Sequence, residues 1–259
     1  MIKRILASIF VLSLVLSPLA YSASTATCND TDCKSANHFD GADAATSTTD
    51  SSASAPTWTF VNQAQLDTAQ FKFGSASLLL DGTGDSITTP DSVNYTLGSG
   101  DFTIECWVRL NTLLAANRHV MGQFDGADTN TLSFEIYFDV DEDPNASVYT
   151  GTTRKGVDGT TSATTGAWYH VAWVRSGNTG TLYLNGTSEG TVDLTGVTVN
   201  DSASVFQIGD IGSIGNTWDG WVDESRFVLG TAVFTGNFTA PSAAYSDTCS
   251  TPRPSTIFI

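Results

Sequence analysis

The 259-residue sequence predicts an all-β domain, with short antiparallel strands packed as a sandwich or a barrel. Three observations carry this. Apolar and polar residues alternate over short runs, the pattern of half-buried strands. Turn dipeptides separate the runs: Asp81-Gly82, Asp125-Gly126, Asp158-Gly159 and Asn185-Gly186. No convincing amphipathic helix is present, and Val61 to Phe73 has room for only one short helical turn.

The chain divides into four parts in order. Lys3 and Arg4 precede an apolar run, Ile5 to Leu16, too short to span a bilayer core of about 30 Å. Ser17-Pro18 and the small residues up to Ser22 complete a secretory signal, residues 1–22, and predict a secreted or surface-exposed protein without membrane insertion after signal removal. Residues 23–37 are small and polar and read as a leader. Residues 38–246 hold the alternating runs and form the domain. Residues 247–259, with two prolines, read as a tail.

Charge narrows the partners. The chain carries 27 acidic and 11 basic side chains, a net charge of −16. Without Lys3 and Arg4 the basic count falls to 9 and the net charge to −18. Nucleic-acid binding needs a basic footprint, and none is present. An anionic membrane surface is disfavoured on the same ground.

Within the domain the runs are "SASLLLDG", "DFTIECWVRL", "LSFEIYFDV", "HVAWVR", "TLYLNG", "SVFQIGD" and "GWVDESRFVLG". In the second, Cys106 keeps step with Phe102, Ile104 and Val108, so it is a buried thiol and not half of a bridge. Cys28, Cys33 and Cys249 remain, with no preferred pairing. In "WYHVAWVR", His170, Ala172 and Val174 share one side, and Tyr169, Val171, Trp173 and Arg175 the other. Both sides carry apolar mass, which predicts a central strand covered on each face. Asn185-Gly186 predicts a type I′ turn with a further strand near Glu189. His170 has no sequence-local acid or nucleophile and reads as a structural histidine.

Five stretches, in order, resemble the laminin-G-like domains of the concanavalin A-like lectin/glucanase superfamily. They are "HFDGADAATSTTDSS", "AQFKFGSASLLLDGTGDSITTPDS", "GSGDFTIECWVRL", "WYHVAWVRSGNTGTLYLNG" and "WDGWVDESRFVLGTAVFTGNFTAP". The resemblance implies a two-sheet antiparallel jelly-roll sandwich. It also implies one structural calcium ion, with oxygens from Asp223, the Gly74 carbonyl and the region of Asp40.

Such folds host binders and glycoside hydrolases, so the site must decide between them. Hydrolases of this fold place E-x-D-x-E on one strand. The nearest match, "SFEIYFDVDED", puts Glu135, Tyr137, Asp139 and Asp141 on one side, but Tyr137 holds the middle position of the motif. The expectation is therefore a non-catalytic module for carbohydrate or a surface protein, as part of an adhesin or fibre, with a structural coat or appendage protein, and after it a glycoside hydrolase on the same fold, as the alternatives. Sugar recognition needs flat aromatic faces and planar polar groups. Glu105, Trp107 and Arg109, with Tyr137 and Trp173, are the candidate ligand-binding residues.

Overall fold

A computed structural model describes residues 31–124, 132–212 and 216–246. Residues 1–22, expected to be a secretory signal, together with Cys28, Asp125-Gly126, Cys249 and residues 247–259, lie outside the described residues.

The strands in chain order are β1 (Cys33–Asn37), β2 (Thr59–Val61), β3 (Gln65–Asp67), β4 (Ser77–Asp81), β5 (Ser86–Thr89), β6 (Phe102–Leu110), β7 (Arg118–Gln123), β8 (Phe134–Phe138), β9 (Pro144–Thr150), β10 (Thr153–Asp158), β11 (Trp168–Ser176), β12 (Thr179–Leu184), β13 (Thr187–Asp193), β14 (Phe206–Ile208) and β15 (Asp219–Leu229). They form two antiparallel sheets. The first runs β13-β12-β11-β6-β15-β4-β3, with β1 also paired to β15; the second runs β10-β9-β8-β7-β14-β5-β2. The predicted all-β, two-sheet antiparallel sandwich is therefore present.

Two expectations are corrected. Residues 61–73 contain no helical turn: β2 and β3 occupy the stretch and step from one sheet to the other, and the helical element among the described residues is a single 3-10 turn at Val93–Tyr95. The leader ends in structure, because Cys33–Asn37 pairs with Ser225–Val228.

The core follows the alternation. Phe102, Ile104, Cys106, Val108 and Leu110 of β6 point between the sheets and meet Val171, Trp173, Phe134, Ile136, Phe138, Phe206 and Trp218. Each such side chain contributes about 1.5–3 kcal/mol by leaving water. The outer face of the first sheet is covered too. Ala172, Val174, Tyr183 and Val228 pack under Ala232, Val233 and Phe234, with Phe238 against them. Residues 231–245 thus form a strap over that face. As expected, β11 is central, between β6 and β12, and buried on both sides.

One irregularity shapes the site region. In β15, Asp223 faces Trp107 and Arg226 faces Glu105, so the strand carries an extra residue between them. Glu224 sits there at φ 51°. This bulge resets the phase, so that Val222 and Phe227 both point into the core while Asp223 and Arg226 both point out. The turn after β12 has φ of 50° at Asn185 and 80° at Gly186, the predicted hairpin geometry, and β13 begins at Thr187.

Candidate functional site

The register sets Glu105, Trp107 and Arg109 on the outer face of the first sheet, but the strap lies over part of it. Glu105 is fully buried. Its Oε1 accepts from Arg226 Nε at 2.8 Å and from the Arg226 terminal nitrogen, and its Oε2 lies 2.9 Å from His170 Nε2. The Tyr245 hydroxyl completes the cluster, 3.0 Å from His170 Nε2. Burial alone would raise the Glu105 pKa; the Arg226 guanidinium and His170 outweigh it and hold the carboxyl at about 2. His170 is thus a structural group, held through Nε2 by partners 65 and 75 residues away in sequence, while its buried Nδ1 has no hydrogen-bond partner.

The other four candidates share no open surface with Glu105. Trp107 is 4% exposed, with its ring against His170 and Phe73 and Lys72 Nζ 4.0 Å from its centroid. Arg109 is half-buried, stacks on Trp221 at 4.6 Å and donates to the Gly166 carbonyl. Trp173 points between the sheets, fully buried beside Phe102. Tyr137 stands on β8 in the second sheet. The five do not line one surface. Glu105 and Trp173 are sealed from any ligand, because each face of β6 and β11 is covered.

The residues implied for calcium gather around the 70–75 loop. Asp223 is fully buried; its Oδ2 accepts from the Lys72 and Phe73 amides at 2.7 and 3.1 Å, and its Oδ1 from the Glu224 amide at 2.9 Å. Burial pushes its carboxyl up to about 8, and the three N–H donors offset only part of that. Asp40 Oδ1 accepts from the Ser75 amide and hydroxyl. Gly74, at φ 67°, lies so close that a Cβ would overlap the Asp40 carboxylate. Carboxylate oxygens are the kind of ligand calcium takes, but those of Asp40 and Asp223 already accept from backbone N–H and hydroxyl donors. Among the described residues no three His, Cys, Asp or Glu side chains converge. Backbone carbonyls and water would therefore supply most of the ligands.

The second sheet presents a different face. Alternation on β8 turns Phe134, Ile136 and Phe138 inward and Glu135 and Tyr137 outward. Ser147 lies opposite Glu135, and Arg154 lies opposite Tyr149. Glu135 Oε1 accepts from Ser147 Oγ at 2.8 Å and Tyr149 Oη at 2.9 Å, while its Oε2 lies 3.2 Å from His119 Nε2. Burial would raise its pKa, but the His119 contacts and the two hydroxyls lower it below the usual carboxylate value. Tyr137 and Tyr149 are half-buried, and the Tyr137 ring lies 5.4 Å from that of His119. Arg154 is 4.0 Å from Glu135 and pairs with Asp158 at 2.6 Å. The result is a fixed, 6% exposed carboxylate hydrogen-bonded to Tyr149, with the Tyr137 ring against its partner His119 and a guanidinium 4.0 Å away.

Asp139 does not extend this row. Its Oδ1 accepts from the Asp141 and Asp143 amides, and its Oδ2 from Asn145 Nδ2, so it closes the 139–143 turn. His119, Tyr149 and Arg154 went unread because β7, β9 and β10 were not recognised. The signal was present in "NASVYTGTTRKGVD", where Gly151, at φ 56°, separates two alternating runs.

A laminin-G family model, described as the concanavalin A-like lectin/glucanases superfamily, matches residues 81–230. The chain belongs to this family. No curated protein matches the sequence. Among solved structures, the binding domain of Paraclostridial Mosquitocidal Protein 1 is similar, with a TM-score of 0.63 and 13% identity, over 78% of this chain and 50% of that one. Domain 4 of AbnA, an extracellular GH43 arabinanase from Geobacillus stearothermophilus, solved with arabinotriose, gives 0.55 and 18% over 78% and 94%. The ligand binding domain of Botulinum neurotoxin serotype D, solved with N-acetylneuraminic acid, gives 0.60 and 11% over 82% and 49%. The chain spans about half the length of the two toxin domains it matches. At these identities the likeness shows the fold. Among the described residues no helix is long and apolar enough to cross a membrane.

Proposed function

We propose that this laminin-G-like chain is a secreted or surface-exposed, non-catalytic binding module for carbohydrate, free or carried on a surface glycoprotein, within an adhesin or fibre. The observation that carries the reading is the face around Glu135. The Glu135 carboxylate, 6% exposed, is fixed by Ser147, Tyr149 and His119 and leaves only an edge for a sugar hydroxyl, and the half-buried Tyr137 and Tyr149 rings offer faces for the apolar side of a pyranose. The arabinotriose and N-acetylneuraminic acid named for two of the similar structures support the same class of ligand.

Binding is favoured over hydrolysis by the state of the carboxyls. A general acid needs a raised pKa, whereas that of Glu135 is lowered. Retaining hydrolysis also needs a second carboxyl at about 5–5.5 Å, and Asp139 is committed to its turn. A glycan array probed with the full chain tests the reading. Binding to a defined glycan that falls at least tenfold in Tyr137→Ala supports it. Absence of any hit at high protein concentration favours a structural coat or appendage role. Release of reducing sugar, abolished in Glu135→Gln, would make the protein a hydrolase.

We further propose one structural calcium ion held by Asp40, the Gly74 carbonyl and Asp223. Bound there, the cation ties the segment after β1 and the 70–75 loop to β15. A rise in melting temperature with calcium, reversed by chelator, is the expected result; identical melts remove the ion.

A further inference from the structure

The strap over the first sheet also forms one wall of a groove. The floor is made by the outward residues of β11, β12 and β13, and the wall by residues 234–237. Its volume is about 370 Å³, within the range of about 300–1,000 Å³ typical of small-molecule clefts. We propose that this groove binds a neutral saccharide, at a site separate from the Glu135 face and on the opposite side of the sandwich.

The lining selects the ligand class. No side chain that lines the groove is charged. An anionic group would enter without a cation to pair with it, on a chain of net charge −16. Hydroxyls dominate instead. Thr181 on β12 stands opposite Thr191 on β13, and Tyr183 stands opposite Ser188. Successive rows on one strand face lie two residues apart, about 6.6–6.8 Å. Each hydroxyl donates once and accepts twice, so the array matches a ligand that itself carries repeated hydroxyls. A purely apolar ligand would strip those hydroxyls of water and return nothing. Tyr183 and Phe234, each 3% exposed, add only a narrow apolar margin at the base of the groove.

The groove is preformed. Phe234 and Phe238 stack with centroids 3.6 Å apart and planes 4° off parallel. Asn237 Oδ1 accepts from the Ser188 amide at 3.0 Å, and the Phe238 amide donates to the Gly186 carbonyl at 2.9 Å. Wall and floor are therefore held together before any ligand arrives, which lowers the ordering cost of binding.

Amide NMR of the full chain tests this, with maltotriose, cellotriose, mannotriose and arabinotriose as neutral probes and sialyllactose as the anionic one. At least one neutral trisaccharide is expected to shift the amides of Thr181, Ser188 and Asn237. The Thr181→Val/Thr191→Val double variant keeps the side-chain volumes and removes two hydroxyls. It should weaken that binding by about tenfold, while Tyr137→Ala leaves it unchanged. Should the double variant unfold, Thr191→Val, at an exposed position, gives the same reading with a smaller loss. Unmoved amides in the groove, or unchanged affinity in the hydroxyl-deleted variants, overturns the proposal. Shifts confined to Tyr137 and Tyr149 also overturn it, and leave the Glu135 reading standing.

Discussion

Glu105 shows what a fully buried charge requires. It keeps its proton off because Arg226 and His170 outweigh the cost of burial. Removing one partner of such a pair leaves the other uncompensated, so Glu105→Gln should destabilise the fold by about 3–5 kcal/mol. The folded pKa, at about 2, lies below the unfolded value of about 4.3. The stabilisation is therefore complete above the unfolded value and lost as pH falls from about 4.5 towards 2. Denaturant titrations of wild type and Glu105→Gln should show a stability gap that narrows over that range; a constant gap would refute the assignment. Some of this was legible in the sequence. Alternation gave the correct outward phase for Glu105 and Trp107, the inward phase for Cys106, and a structural His170. It also placed Trp173 opposite to His170, so the sequence pattern itself argued against a shared ligand surface. The cover over Glu105 was not legible, because Arg226 and Tyr245 arrive from more than a hundred residues away.

Turns and strand phases decide how the elements assemble. Asn185-Gly186 was readable because two successive positive φ values demand those residue types. Its second role was not readable. A Cβ on Gly186 would overlap the carbonyl oxygen of Phe238, so this glycine also seats the strap. Gly186→Ala combines left-handed strain with that overlap and should cost about 1–3 kcal/mol. Thermal unfolding measures the loss, and faster amide exchange across residues 232–238 locates it. A neutral substitution would mean that the strap contributes little. The β15 bulge was hidden for a different reason. "GWVDESRFVLG" fits two alternations of opposite phase, and only the pairing with β6 shows where one gives way to the other. The strands β7, β9 and β10 were missed because His, Gly, Asn and Lys dilute their apolar signal.

At the scale of the whole molecule, the ends of the two open sheets approach each other. β13 lies beside β10 at one side, and β2 passes into β3 at the other. The margin at β2 and β3, three residues each, leaves few unpaired backbone groups to recruit another chain, whereas β10 and β13, six and seven residues long, remain edge strands. The acidic surface adds self-repulsion, which screening by salt reduces. The melting temperature should therefore rise with added monovalent salt, and a flat response between low and moderate ionic strength would show that the charges are too dispersed to matter.

Cys106 gives this architecture a built-in clock. The thiol is free, fully buried and pushed well above its ordinary pKa by burial and the neighbouring Glu105 charge. An alkylating reagent can reach it only when the two layers part. The pace of its modification in native buffer thus counts excursions of the entire sandwich, with no spectroscopic label required.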